Sequence, residues 1–128
     1  MRISRIYSTF LLAATVVFLT SPAHAENWFF VTESDDIKFF LDRDSISLKG
    51  KLSEVKTFEV RHKPEDDGTV AAIVKREYSC QEKKSRVKQV TTLFDDSSMR
   101  VFKETTSWEL VKAETVDAFI LQKACEPK

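Results

Sequence analysis

The chain has 128 residues, with 20 basic and 20 acidic side chains and a formal net charge of zero. That length suits one domain and no more, and the even balance argues against a protein built mainly to bind nucleic acid. Hydrophobic residues at 42% and charged residues at 31% describe a globular chain, not a disordered one. Two glycines leave no room for a glycine-rich phosphate cradle.

Residues 1–25 read as a secretory signal. Arg2 and Arg5 give a positive start, Phe10 to Leu19 is an apolar run, and Ala23-His24-Ala25 is a small-x-small cleavage pattern. Crossing a bilayer takes roughly 20 apolar residues, about twice this run. The expectation is a cleaved signal, not a stable membrane anchor. The mature chain, residues 26–128, then starts at Glu26, and no cysteine near the cut offers a lipid attachment point. The predicted location is periplasmic or secreted.

Cys80 and Cys125 are the only two thiols, and export places them where disulfides persist. Their separation of 45 residues excludes CxxC redox chemistry. It also supplies too few ligands for a zinc site, so neither metal nor cofactor is expected. The two are read as one structural disulfide tying the middle of the chain to its end.

From Asn27 onward, short β-rich runs alternate with polar turns. Asn27 to Thr32 and Ile37 to Asp42 are two strands, turned at Ser34-Asp35-Asp36. Ser45 to Leu48 is a short piece. Leu52 to Lys63 is a long strand with Phe58 and Val60 on one face and Thr57, Glu59 and Arg61 on the other. Pro64 to Gly68 has turn chemistry. Val70 to Cys80 and Ser85 to Phe94 form a hairpin, Asp95 to Ser98 turns, and Arg100 to Val111 holds one or two more strands. After Thr115 the period changes. Val116, Phe119, Ile120 and Ala124 make one helical stripe, with Thr115 as its cap, and the helix ends near Ala124 so that Cys125 can turn toward Cys80. The predicted class is α+β: an antiparallel sheet of about six strands with one C-terminal helix packed on it.

Phe29-Phe30 and Phe39-Phe40 each put one ring on either side of a sheet. One short helix cannot cover such a sheet. The remaining apolar surface must curl inward or meet a partner, either another protein or a second copy of the chain.

Catalytic chemistry is nearly absent from the pattern. Beyond the signal, His62 is the sole histidine and no nucleophile motif surrounds it. Ser53-Glu54-Val55-Lys56 matches an S-x-x-K string but heads a β run, not a helix. Asp42-Arg43-Asp44 begins like a calcium loop, yet Ser47 stands where glycine is needed. One charge cluster stands out. Lys75, Arg76, Lys83, Lys84, Arg86 and Lys88 face only Glu77 and Glu82 in the same stretch, making the hairpin a candidate patch for anionic lipid, glycan or an acidic protein partner. The plainer reading is a charged hairpin that discourages aggregation.

A larger constellation follows from these pieces. A Trp28 strand precedes Phe40-Leu41-Asp42-Arg43-Asp44-Ser45-Ile46. Next come Glu77-Tyr78-Ser79-Cys80, basic Lys84 and Arg86, then Trp108-Glu109-Leu110-Val111 and a short helix into Cys125. In this order and spacing the chain resembles the bacterial surface-adhesin E-like domain family, from Glu26 to Lys128. The resemblance implies a small antiparallel sheet, a C-terminal helix on it, a Cys80–Cys125 bond and no enzymatic role. The expected function is an exported binding domain for a protein or other envelope or extracellular macromolecule, with homodimerisation as one outlet. The alternative is a periplasmic carrier or sensor of a small apolar ligand held between the sheet and the helix.

Overall fold

The computed structural model describes residues 27–127; the segment read as a signal lies outside them. Its eight strands are β1 (Trp28–Ser34), β2 (Ile37–Asp42), β3 (Ser47–Lys49), β4 (Leu52–Arg61), β5 (Thr69–Ser79), β6 (Lys84–Phe94), β7 (Met99–Phe102) and β8 (Glu109–Leu110). Among the described residues a single α-helix, α1 (Val116–Ala124), follows. All pairings are antiparallel, in the order β1-β2-β4-β5-β6-β7. The short strands share long neighbours: β3 pairs with the start of β4, and β8 with the start of β6. The expected antiparallel sheet with one C-terminal helix is therefore present, with eight strands because two short ones double up on the long ones.

Local chemistry explains the connections. Gly68 takes a φ of +89° in the turn between β4 and β5, a conformation that penalises any side chain. Pro64 opens the same turn, and the Gly68 N–H donates to Glu65 O at 2.8 Å. Between β2 and β3 the chain makes a 3₁₀ turn at Arg43–Ser45. Asp42 is buried and its carboxylate accepts from the backbone of Asn27 at 3.2 Å and of Asp44 at 3.1 Å. The Ser45 hydroxyl donates to Asp42 O and accepts from Lys56 N. The acidic pair that looks like the start of a calcium loop is thus a capped corner. Among the described residues no cluster of His, Cys, Asp and Glu is placed to hold a metal ion.

The register divides the sheet into two faces. On the helix face, Ser53, Val55 and Thr57 of β4 lie beside Tyr78, Arg76 and Val74 of β5. On the open face, Glu54, Lys56, Phe58 and Val60 lie beside Glu77, Lys75, Ile73 and Ala71. Alternation along β4 thus follows the reading from sequence, with Phe58 and Val60 on one side and Thr57, Glu59 and Arg61 on the other.

The core sits under the helix. Leu41, Val55, Tyr78, Ile120, Leu121 and Ala124 are buried together, with Val31, Ile46, Val111, Val116 and Cys125 packed around them. Thr115 caps the helix by accepting from Ala118 N, and the Cys125 N–H closes the last turn on Leu121 O. Cys80 and Cys125 are bonded, with Cα atoms 5.8 Å apart.

One detail differs from the sequence pattern. Leu121, not Phe119, joins Ile120 and Ala124 in the core, and Phe119 is half-buried, 5.6 Å from the Lys123 ammonium. The reason is Asp117. Its carboxylate accepts from the Tyr78 hydroxyl at 2.6 Å and the Ser85 hydroxyl at 2.9 Å. Asp117 therefore turns toward the sheet, and the buried stripe runs through it to Ile120, Leu121 and Ala124. A carboxylate at the centre of the packed face hid that stripe from hydropathy.

Candidate functional site

A nine-residue helix is about 14 Å long. Six strands at about 4.8 Å spacing span roughly 25 Å or more. The helix covers one end of one face and leaves the open face bare. There the register lines up one row across all six strands of the main path: Phe30, Phe40, Phe58, Ile73, Thr91 and Val101. Five of these are apolar. The Phe30 and Phe40 rings meet edge-on with centroids 5.6 Å apart, Phe40 and Phe58 are 6.1 Å apart, and Trp28 leans on Phe58 at 5.3 Å. The neighbouring row adds Val60, Ala71, Leu93 and Met99. Exposure reaches 48% at Phe30, 46% at Val101 and 66% at Met99. A continuous apolar band of this kind is what interaction faces carry.

The hairpin charges border this band. Lys75 lies 3.9 Å from Glu54, and Lys88 3.3 Å from Glu54 and 3.9 Å from Glu77. Arg86 binds the buried Glu77 carboxylate at 2.6 Å and stacks 4.3 Å from the Trp108 ring centre. Lys84 lies 3.6 Å from Glu82. Arg76 points to the helix face, where it binds Glu59 at 3.0 Å and the Thr57 hydroxyl at 3.2 Å. Lys83 sits exposed in the turn. The structure brings Lys75, Lys84, Arg86 and Lys88 to one end of the open face, each beside an acid, and separates Arg76 from them. What the linear count lacked was Glu54, which the register sets directly beside Glu77, with Arg86 next in line.

The other residues weighed from sequence have structural partners. Ser53 is fully buried and its hydroxyl donates to Ala124 O at 2.6 Å, pinning the end of α1. His62 follows β4, with its Nε2 2.5 Å from the Glu33 carboxylate. Two clefts flank the helix: one of about 250 Å³ beside its last turn, between Phe29, Arg43 and Lys123, and one of about 270 Å³ beside Ala118 and Leu121, walled by Val111 and Ala113.

Two groups have displaced acidities. The Tyr78 phenol is pushed far above the ordinary tyrosine range, first by burial and then by the Asp117 charge. The Asp67 carboxyl is held below the usual carboxylate range, chiefly by hydrogen bonds from Thr69.

The model of the family described as surface-adhesin protein E matches residues 28–126. The chain belongs to the surface-adhesin protein E family. The match covers nearly all of the described domain, including every strand and the helix. Neither a curated protein nor a solved structure matches the chain. As a surface-adhesin E domain it is an adhesin-like protein of exported or surface type. No helix among the described residues is long and apolar enough to cross a membrane.

Proposed function

We propose that the chain is an exported, non-catalytic binding domain, released from its signal at Glu26, that engages another protein through the open face of its sheet. The observation that carries this reading is the apolar row from Phe30 to Val101, crossing every strand of the main path on the face opposite the helix. An apolar centre bordered by Lys75, Arg86, Lys88 and their acids has the anatomy of a protein interface, with a desolvating middle and a polar rim. Membership in the adhesin family supports the same reading. Lys83 and Lys84, at the tip of the hairpin, extend the rim beyond the sheet and favour an acidic margin on the partner.

The test is direct. Immobilised matrix proteins should bind the domain saturably, and Phe30→Ser or Met99→Ser should weaken that binding at least about tenfold, since aromatic and methionine anchors carry interface energy. Both side chains are too exposed for their loss to unfold the domain. Sedimentation equilibrium decides the other outlet: a dimer abolished by the same changes means that the face is met by a second copy. No saturable binding, together with a monomer, would end the proposal.

A further inference from the structure

The cleft of about 270 Å³ beside α1 lies where the β5–β6 turn, the segment after β8 and the flank of the helix meet. Val111 and Ala113 come from that segment, Ala118, Leu121 and Gln122 from α1, and Lys83 from the turn. Backbone bonds fix these parts. The Lys83 N–H donates to Ser79 O at 2.8 Å, and the Lys83 carbonyl accepts from Val111 N at 2.9 Å. Lys83 is held there at a φ of +54°, a region that residues other than glycine seldom enter. The helix wall is tied down by the Cys80–Cys125 bond and by the Ser53 hydroxyl on Ala124 O.

Charge sets this cleft apart from the others. The groove on the uncovered half of the helix face matches Arg61, Arg76 and Arg100 with Glu59, Glu65 and Asp67. At the last turn of α1, Lys123 lies 3.6 Å from Glu126, and on the open face Lys88 lies against Glu54 and Glu77. Here Lys83 is the one ionisable residue of the lining, and no carboxylate lines the cleft with it. The adjacent Glu82 is engaged by Lys84 at 3.6 Å, and Asp117 of α1 is committed to Tyr78 and Ser85. No ion pair or hydrogen bond among the described residues takes the Lys83 ammonium. The residue is exposed, so a ligand can reach it. Apart from the Gln122 amide, the rest of the lining is aliphatic.

Aliphatic walls favour an apolar body that displaces water from them, and an unpaired ammonium favours an anionic acceptor. The cleft falls just below the range of about 300–1,000 Å³ usual for small-molecule sites, so the body must be short. We infer that this cleft binds a short-chain aliphatic carboxylate. The chain lies against Val111, Ala118 and Leu121, and the head group meets the Lys83 ammonium and the Gln122 amide. The site is on the helix side of the sheet and needs no protein partner, so this inference and the protein-binding reading fail separately.

Titration of octanoate into the oxidised protein, followed by NMR, tests the site. The amide shifts of Lys83, Ala113 and Ala118 should move and saturate with one equivalent bound. Lys83→Gln should weaken binding at least about tenfold, the worth of one charged hydrogen bond. Octanol keeps the chain and loses the charge, and should bind more weakly by a similar factor; octyltrimethylammonium should not bind. Ala113→Trp should fill the cleft and abolish binding. Lys112→Gln, which removes a charge beside the cleft but outside its lining, should leave affinity unchanged. Lys83 and Ala113 are exposed, so their variants should keep the wild-type unfolding temperature. The comparison of octanoate with octanol tests the site on unaltered protein in any case. Absence of saturable octanoate binding overturns the inference. So does equal affinity for octanol or for the cationic amphiphile, equal loss in Lys112→Gln and Lys83→Gln, or full affinity in Ala113→Trp.

Discussion

Replacing both Cys80 and Cys125 with serine should cost this domain about 4 kcal/mol of stability. The two residues lie 45 positions apart, and closing a loop of that length in the unfolded chain is worth about that much in the chain-entropy model. Native domains have only about 5–15 kcal/mol in hand. The helix depends on the tie more than its size suggests. A nine-residue helix is marginal by itself in water. Without the bond it is held by the Tyr78–Asp117 and Ser53–Ala124 hydrogen bonds and by the packing of Ile120, Leu121 and Ala124. Those contacts also close the only buried core among the described residues, so loss of the helix takes the sheet with it. Unfolding followed by circular dichroism and by Trp28 and Trp108 fluorescence should give one transition, lowered by roughly 15–30 °C. The urea m-value should rise, because the unfolded chain is free to expand. Wild-type protein treated with a reductant should behave like the double variant. A loss under about 1 kcal/mol, or a helix that melts while the sheet transition stays put, would refute the reasoning that one bond and one core govern the whole domain.

Other outcomes follow from the same packing. In protein starting at Glu26, Tyr78 is the only tyrosine, so tyrosinate absorbance reports on it alone. It should show no ionisation at about pH 11 while the fold persists. Because the folded phenol is shifted upward, the stability it contributes is full below about pH 10. Above that it falls by about 1.4 kcal/mol per unit as the unfolded phenol ionises. Tyr78→Phe, measured by urea unfolding at neutral pH, should cost about 1.5–3 kcal/mol through the lost bond to Asp117. Leu121→Ala should cost about 2–5 kcal/mol and Phe119→Ala less than that, in chemical denaturation, because only the first opens a cavity in the core. Gly68→Ala should be worse than Gly50→Ala in the same assay. Both need positive φ, but a Cβ at Gly68 meets Asp95 Oδ1 at 2.9 Å, whereas one at Gly50 meets nothing within 4 Å. The difference should be about 1 kcal/mol or more.

Much of the architecture is local, and local features are legible. Period-two alternation marks β4 from Val55 to Arg61, and Pro64 and Gly68 bracket its turn. Thr115 announces the helix because a hydroxyl before an amphipathic run can satisfy an orphan N–H three residues on. Phe29-Phe30 and Phe39-Phe40 declare that both faces carry rings, since neighbours in a strand point apart. The boundaries that moved were at strand ends. Ser45 belongs to a 3₁₀ corner because its hydroxyl is shared between Asp42 and Lys56, an arrangement no linear window contains.

Composition and periodicity alone determined that the chain is a two-faced antiparallel sheet with a short terminal helix, a paired cysteine couple and surplus apolar surface. Which charges neutralise one another, and which donors are left over, was decided only when the strands came into register. Glu54 meets Glu77 and the hairpin lysines, Arg76 turns to the other face, and Arg100 stands across three strands from Glu59. The reason is range. Backbone preference acts between near neighbours along the chain, whereas Coulomb and hydrogen-bond energies act between neighbours in space, and in a sheet those are set by pairing between residues far apart in sequence.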